Sequence, residues 1–348
     1  MKKTLVAVAA MAAVTGAMAN ATIYGTIDQA YTTSKVTDSA GATTKTTGLG
    51  GPWNGGSAIG FKGSEDLGGG LKASFQYEMG VMIDQVGGPY GPHYENRNSF
   101  LGLSGGFGNV TMGRQYNLAF YNIISADPMG FSGVSAYLPA LAGGAGRTDN
   151  LIIYTLPSVM PGLNIQLSKG MGEKGTTTAA PTKAGDSTEY GISYSSGALF
   201  VGYVSNSVKA GTYANPFAGS VVTTTTPTAY AGTAGDTIKG TSTTLTYDLG
   251  MAKLIYGGTK TTQPYLTTSN KGNAYSIVVP INALSVSYTS ATYSTTASAV
   301  ETKLKGTQMR AAYSLSKRTT AYFDTAKYST NGTTKSTSGN AFGLIHNF

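Results

Sequence analysis

Residues 60–79, Gly60-Phe61-Lys62-Gly63-Ser64-Glu65-Asp66-Leu67-Gly68-Gly69-Gly70-Leu71-Lys72-Ala73-Ser74-Phe75-Gln76-Tyr77-Glu78-Met79, carry both signals on which the fold turns. Leu71, Ala73, Phe75, Tyr77 and Met79 alternate with Lys72, Ser74, Gln76 and Glu78, which gives a strand one apolar and one polar face. Before it, Asp66 to Gly70 is a glycine-rich tight turn between two such runs. The period of two recurs in Leu163, Ile165, Leu167, in Tyr190, Ile192, Tyr194 and in Leu284, Val286, Tyr288. A soluble sandwich also alternates, with its apolar side inward, so the period alone does not say which side is wet. The number and spacing of the breaks decide.

Seven tight turns separate strand-like runs: Asp66 to Gly70, Ser104 to Gly108, Pro157 to Gly162, Ser195 to Ala198, Tyr247 to Ala252, Pro280 to Ala283 and Ser316 to Thr319. Eight longer stretches alternate with them: Lys35 to Asn54, Gly80 to Asn96, Tyr116 to Gly146, Met171 to Thr188, Ser207 to Ile238, Thr261 to Lys271, Ser294 to Lys303 and Tyr328 to Ser338. The alternation predicts an all-β fold, a 16-stranded antiparallel transmembrane β-barrel with both termini on the short-turn side. Proline agrees, because all 12 prolines fall in turns, loops or strand ends, Pro280 being nearest to a strand interior. A secreted β-solenoid would need a short repeat, and none is present.

Composition narrows the class further. Charged residues make up 11% of the 348, against about 25% in ordinary soluble domains. With 48 Gly and 23 Tyr this suits a wall facing lipid. There is no cysteine, hence no disulfide or thiolate metal site, and neither metal nor cofactor is expected. Residues 1–19 have the form of a signal peptide, with Lys2 and Lys3, an apolar core from Leu5 to Val14, and Ala17-Met18-Ala19 for cleavage. Its removal would lower the formal charge from +8 to +6 and leave a barrel domain of residues 20–348 without a transmembrane helix.

Tyr116 to Gly146 is unlike the other long stretches. It is rich in aromatic and aliphatic side chains, among them Phe120, Tyr121, Met129 and Phe131, with Asp127 its one charge. A disordered segment would be polar, so this loop must pack against something. Residues 116–146 are therefore expected to fold into the barrel as the third long loop and constrict it, with Arg97 and Arg114 before it and Arg147 after it. Lys72, Glu78 and Arg310 stand on polar strand faces, either lining the lumen or simply solvated on the wall. Arg114 could instead anchor the loop through Asp127 or Asp149. At the end of the chain, Phe342, Leu344, His346 and Phe348 share one face of a closing strand that pairs with Thr22 to Thr32.

The blocks Thr22-Ile23-Tyr24-Gly25-Thr26-Ile27-Asp28, Gly60 to Leu71, Gly113-Arg114-Gln115 and the final Phe348 together resemble the trimeric general porins of Gram-negative outer membranes, in their betaproteobacterial, Burkholderia- and Neisseria-like branch. The resemblance implies a homotrimer of sixteen-stranded barrels in the cell outer membrane, in contact with lipid and lipopolysaccharide, and an inward third loop. It implies a basic constriction wall at Lys62, Arg97 and Arg147 facing Asp127, and Phe348 as the signal for the barrel-assembly machinery. Two departures thin both walls: Ala58 stands where many relatives have arginine, and Asp127-Pro128-Met129-Gly130 replaces a Pro-Glu-Phe-Gly type segment.

The expected function is passive diffusion of small hydrophilic solutes and ions with a mild anion preference, since the basic residues outnumber the acids near the loop. A substrate-selective channel, for a sugar or organic anion, is the alternative, and Tyr116, Phe120, Tyr121 and Phe131 would supply its aromatic track. Enzyme chemistry is not expected: His93 lies in a long loop and His346 on the lipid-facing set, neither placed as a base. No nucleic-acid partner is expected.

Overall fold

The computed structural model describes residues 20–50, 56–81, 83, 95–130, 146–172, 186–209, 237–263, 268–297, 300–331 and 335–348. The leader at 1–19, His93 and residues 131–145 of the inward loop lie outside them. The strands are β1 (Asn20–Thr37), β2 (Thr43–Gly50), β3 (Ala58–Gly68), β4 (Leu71–Gly80), β5 (Glu95–Gly105), β6 (Gly108–Tyr116), β7 (Arg147–Thr155), β8 (Leu163–Gly170) and β9 (Ser187–Ser196). They continue as β10 (Leu199–Lys209), β11 (Thr237–Asp248), β12 (Lys253–Gln263), β13 (Thr268–Ile281), β14 (Leu284–Ala297), β15 (Val300–Ser314), β16 (Thr319–Thr330) and β17 (Ser336–Asn347). One short helix, α1 (Leu118–Ile124), follows β6.

Neighbouring strands pair antiparallel from β3 round to β17, and β17 returns to β1 with Thr26 opposite Asn347. Both β2 and β3 pair with β1, β2 along Ala30 to Thr37 and β3 along Asn20 to Thr26. They are two parts of one wall strand, so the seventeen segments form a closed barrel of sixteen. At the break the Ser57 side chain replaces the missing ladder. The Asp28 N–H donates to Ser57 Oγ (2.9 Å), and that hydroxyl faces the Asp28 carbonyl at 3.3 Å.

All seven tight turns connect strands as expected. Pro280 is the penultimate residue of β13, where a lost donor interrupts little. Four of the long stretches are much shorter as loops than the sequence suggested. β1 continues to Thr37 and β2 begins at Thr43; β12 continues to Gln263 and β13 begins at Thr268. Likewise β14 runs to Ala297 with β15 from Val300, and β16 to Thr330 with β17 from Ser336. Beyond the lipid band neither face need be apolar, so alternation stops while β-branched threonine still favours the pleated chain.

The barrel is polar inside and apolar outside. Ser242, Thr244, Thr259, Ser276, Thr289 and Gln308 point inward and are buried, whereas Leu101 is 64% exposed, Tyr275 61% and Phe342 65%. This is the reverse of a soluble sandwich and suits a wall immersed in hydrocarbon. The inner wall turns apolar where α1 lies on it. Leu118, Ala119, Phe120 and Ile123 pack there with Leu151 and Ile153 of β7 and Val204 of β10.

Candidate pore constriction

The chain enters the lumen at Asn117. Its N–H donates to the Gly146 carbonyl (2.9 Å) and its Oδ1 accepts from Gly146 (3.2 Å), so both ends of the inward loop meet at one point. The same Oδ1 caps α1 by accepting the Phe120 N–H at 2.9 Å. Three further ties hold the loop to the wall.

Glu189, on the inward face of β9, is the first. Its carboxylate accepts the Leu118 N–H (2.7 Å) and the Ser168 hydroxyl (3.0 Å), with the Ala119 N–H at 3.4 Å. A buried carboxylate thus meets otherwise unpaired helical donors, and each satisfies the other. Asn122 is the second: its Nδ2 donates to Ser242 Oγ (3.0 Å) and its carbonyl accepts from Thr244 (2.8 Å), both on β11. Its amide lies directly over Gly202 of β10, where a Cβ would collide with Oδ1. That position demands glycine for the approach, whatever its backbone angles.

Arg310 is the third. On β15 it makes a two-pronged ion pair with Asp324 of β16, Nε to Oδ1 at 2.7 Å and Nη2 to Oδ2 at 2.6 Å. Its remaining nitrogen, Nη1, donates to the Met129 carbonyl of the loop at 2.8 Å. Both partners are buried, as is Met129. A forked guanidinium can bind a carboxylate and a carbonyl together, as an ammonium could not with the same geometry. Arg310, expected to line the lumen or lie solvated, is instead a clamp beneath the loop. Asp127, expected as the acid opposite the basic wall, accepts the Met129 N–H at 2.9 Å and shapes the turn that presents that carbonyl.

Across from the loop, β1, β3, β4 and β5 bring together a second group. Arg97 Nε donates to Glu78 Oε1 at 2.6 Å, Tyr24 donates to Glu78 Oε2 at 3.0 Å, and Gln76 donates to Tyr24 at 2.7 Å. The Lys62 ammonium lies 4.9 Å from the Tyr24 ring centroid and remains exposed. The pairing register shifts between Tyr77 and Met79, so Glu78 faces two residues of β5, and this bulge aims Arg97 inward. Lys72 is on the same polar face but next to the short turn, away from this group.

Arg147 and Tyr116 stand opposite each other where β6 and β7 end. The guanidinium carbon is 4.3 Å from the Tyr116 ring centroid, and Nη2 donates to the Tyr116 hydroxyl. Tyr116 stacks on Phe120 with centroids 3.8 Å apart and meets Tyr121 edge-on at 5.9 Å. Desolvation by the surrounding walls, then Tyr116 and Glu78, push the Tyr121 phenol up to about 12, so it adds no charge at neutral pH.

Arg114 is placed differently. Met112 and Arg114 share the outward side of β6, while Gln115 points inward and donates to the Leu151 carbonyl. Arg114 Nη1 pairs with Asp149 Oδ1 at 2.6 Å, on the outer wall rather than in the lumen. Of the two partners weighed from the sequence, the structure brings Asp149 to it.

Glu189, Asp324, Asn122 and Tyr24 were not singled out from the sequence. For Glu189 the signal was present: an acid on the polar phase of Tyr190-Gly191-Ile192, beside a glycine that leaves room above it. Asp324 occupies the same phase relative to Phe323. What a strand pattern cannot supply is which neighbour's side chain it faces.

The described family of Gram-negative porins matches residues 5–333 of the chain. The major outer membrane protein P.IB of Neisseria meningitidis serogroup B is 45% identical over 115 residues, 33% of this chain and 34% of that protein. The outer membrane porin protein 32 of Delftia acidovorans is 34% identical over 192 residues, 52% of each chain. These alignments therefore span a third to a half of the curated relatives. Among solved structures, the anion-selective porin from Comamonas acidovorans superposes with a TM-score of 0.73 at 24% identity, covering 95% of this chain and 100% of that one.

Proposed function

Since the chain belongs to the Gram-negative porin family, we propose that it is a general-diffusion channel of the outer membrane, passing small hydrophilic solutes and ions with a mild preference for anions. The observation that carries the selectivity is how the inward acids are used. Glu78 is held by Arg97 and Tyr24, Asp324 by Arg310, Glu189 by the start of α1, and Asp28 by Tyr322. Lys62, by contrast, stays exposed, and Arg147 stands at the root of the loop. In a narrow passage with low-dielectric walls, such an imbalance sets the sign of the local potential. Salt screens charges over about 8 Å at physiological strength, so the preference is mild and fades as salt rises.

Passage is a matter of size and field rather than chemistry. The polar inner wall hydrates a solute, and the loop, tied at Glu189, Asn122 and Arg310, holds the cross-section steady. An aromatic track for one sugar would need several open rings, but Phe120 is buried under Tyr116 and Tyr121 alone is widely exposed among these three. We further propose a homotrimer, with the arc around β1 and β3 as its contact, and recognition of Phe348 by the barrel-assembly machinery. The Phe348 ring lies over Gly25 on the outer wall, and the two backbones exchange hydrogen bonds at 3.0 Å.

The test is the reversal potential across a planar bilayer in a salt gradient. Parent protein should give an anion-selective value at low salt, with closures in three equal steps. Lys62→Gln with Arg147→Gln should move it toward cations. A cation-selective parent would overturn the selectivity, and a saturable preference for one sugar in liposome swelling would overturn general diffusion.

A further inference from the structure

Tyr24 of β1 ties together the charged group on the wall across from the inward loop. Its cross-strand partner is Gly60 of β3, and Gly60 stands opposite Glu78 of β4, so phenol and acid lie two strands apart with only a glycine between them. The ring passes over that glycine, where a Cβ would collide with it. From this seat the hydroxyl donates to Glu78 Oε2 (3.0 Å) and accepts from Gln76 Nε2 (2.7 Å), and the ring face carries the Lys62 ammonium. Gln76 is itself the β4 residue opposite Lys62. Arg97 Nε holds the other oxygen of Glu78, Oε1, at 2.6 Å. The carboxylate is thus gripped from two sides, by a guanidinium from β5 and a phenol from β1.

Of the four inward acids held by neighbours, Glu78 is the one an ion in transit can sense closely. Asp28 and Asp324 are 0% exposed and Glu189 2%, whereas the Glu78 side chain keeps 12% of its surface and that of Arg97 14%. A passing ion therefore meets the Arg97–Glu78 pair as a fixed dipole, and the end it meets depends on how the carboxylate is turned. Between low-dielectric walls, turning such a dipole changes the local potential much as moving a charge would. Two charge-assisted hydrogen bonds from opposite sides fix the turn. A similar construction stands at the seam, where Tyr322 passes over Gly343 to donate to Asp28, but there the acid is closed off from the lumen.

The geometry points to Tyr24 as the residue that sets the strength of the anion preference: its hydroxyl turns Glu78 back against the wall while its ring face presents Lys62 to the lumen. The phenol brings no charge of its own. It acts through Glu78 and Lys62 and is a positioning residue for selectivity. This inference rests on the anion-selective reading of the channel and names the side chain by which that selectivity is tuned.

The experiment is a double-mutant cycle on the full barrel, read as the reversal potential across a planar bilayer in a low-salt gradient. Tyr24→Phe keeps the ring beneath Lys62 and removes the donor, so it should move the potential toward cations as Glu78 Oε2 turns to the lumen. Glu78→Gln alone should move it toward anions. In the Glu78→Gln background Tyr24→Phe should add no shift, because the charge through which the hydroxyl acts is gone. Tyr24→Leu also removes the ring and should shift the parent further than Tyr24→Phe does; with Lys62→Gln present, that extra shift should vanish. All of these shifts should shrink as salt rises. If Tyr24→Leu does not fold, Tyr24→Phe carries the comparison, and Gly60→Ala, which displaces the ring, should shift the potential in the same direction. A merely structural tyrosine would lower heat resistance without moving the potential, or would shift it equally in both backgrounds; either result overturns the inference. A cation-selective parent would overturn the anion preference instead, since the Tyr24 shift is read as a difference from the parent whatever the parent's sign.

Discussion

The Tyr322 hydroxyl donates to Asp28 Oδ1 at 2.8 Å across the strand between them, joining β16 to β1 over the bare backbone of Gly343. The two residues are 294 positions apart, and the contact bridges the seam where the barrel closes. Asp28 and Tyr322 are both buried, and Tyr322 also lies beneath the Arg310 guanidinium, 5.0 Å from ring centroid to carbon. The seam is therefore continuous with the clamp that holds the Met129 carbonyl.

Gly343→Ala should displace the Tyr322 ring, since a Cβ there collides with it. Tyr322→Phe keeps the ring but removes the donor, at a cost of about 1–3 kcal/mol. Both should lower the temperature at which the barrel loses compact mobility, and Gly343→Ala should cost more. An alanine variant as heat-resistant as the parent would contradict the seam contact.

Arg310→Met leaves Asp324 buried without its cation and should cost about 3–5 kcal/mol. Open-channel current should also become noisier and larger as the loop loses its hold on Met129. Adding Asp324→Leu should recover much of the stability but not the quiet current. Recovery of both would mean the ion pair supports the wall and does not hold the loop.

Glu189→Ala removes the acceptor for the Leu118 N–H and should destabilise the loop by about 1–3 kcal/mol, while the surrounding β8 and β9 ladder is retained. Limited proteolysis should then cut near α1 before the barrel opens. Glu189→Gln, which keeps one oxygen, should be milder. A loop equally resistant in all three proteins would show that Glu189 is dispensable there.

Arg114→Gln should leave the reversal potential within error of the parent, because the residue lies on the outer wall with Asp149. A shift toward cations comparable to that of the Lys62 and Arg147 double variant would place Arg114 in the lumen field after all.

Phe348→Ser should reach the periplasm but accumulate poorly in the outer membrane, as the seam loses the ring over Gly25. Fractionated cells expressing the variant supply the measurement; normal outer-membrane levels would remove Phe348 from barrel assembly.

The sequence by itself determined the sixteen-strand alternation, the seven tight turns, the phase of the clearly alternating strands such as Leu71 to Met79 and Leu284 to Tyr288, and the singular character of Tyr116 to Gly146. All of these are local, because a period of two and a glycine or proline break depend on neighbours within a few residues. It also placed Arg310 correctly on a polar face. Only the tertiary structure decided what that face meets: Asp324 on one side and Met129, 181 positions earlier, above it. The same holds for Glu189 beneath α1 and for Arg114 turning outward beside Asp149. Cross-strand register is set by the whole ring of pairings, in which a single bulge such as that at Glu78 re-aims a side chain. No local pattern encodes that. Threonine-rich ends were misjudged as loops for a related reason: outside the lipid band the ladder persists after the hydrophobic alternation that reveals it has ended.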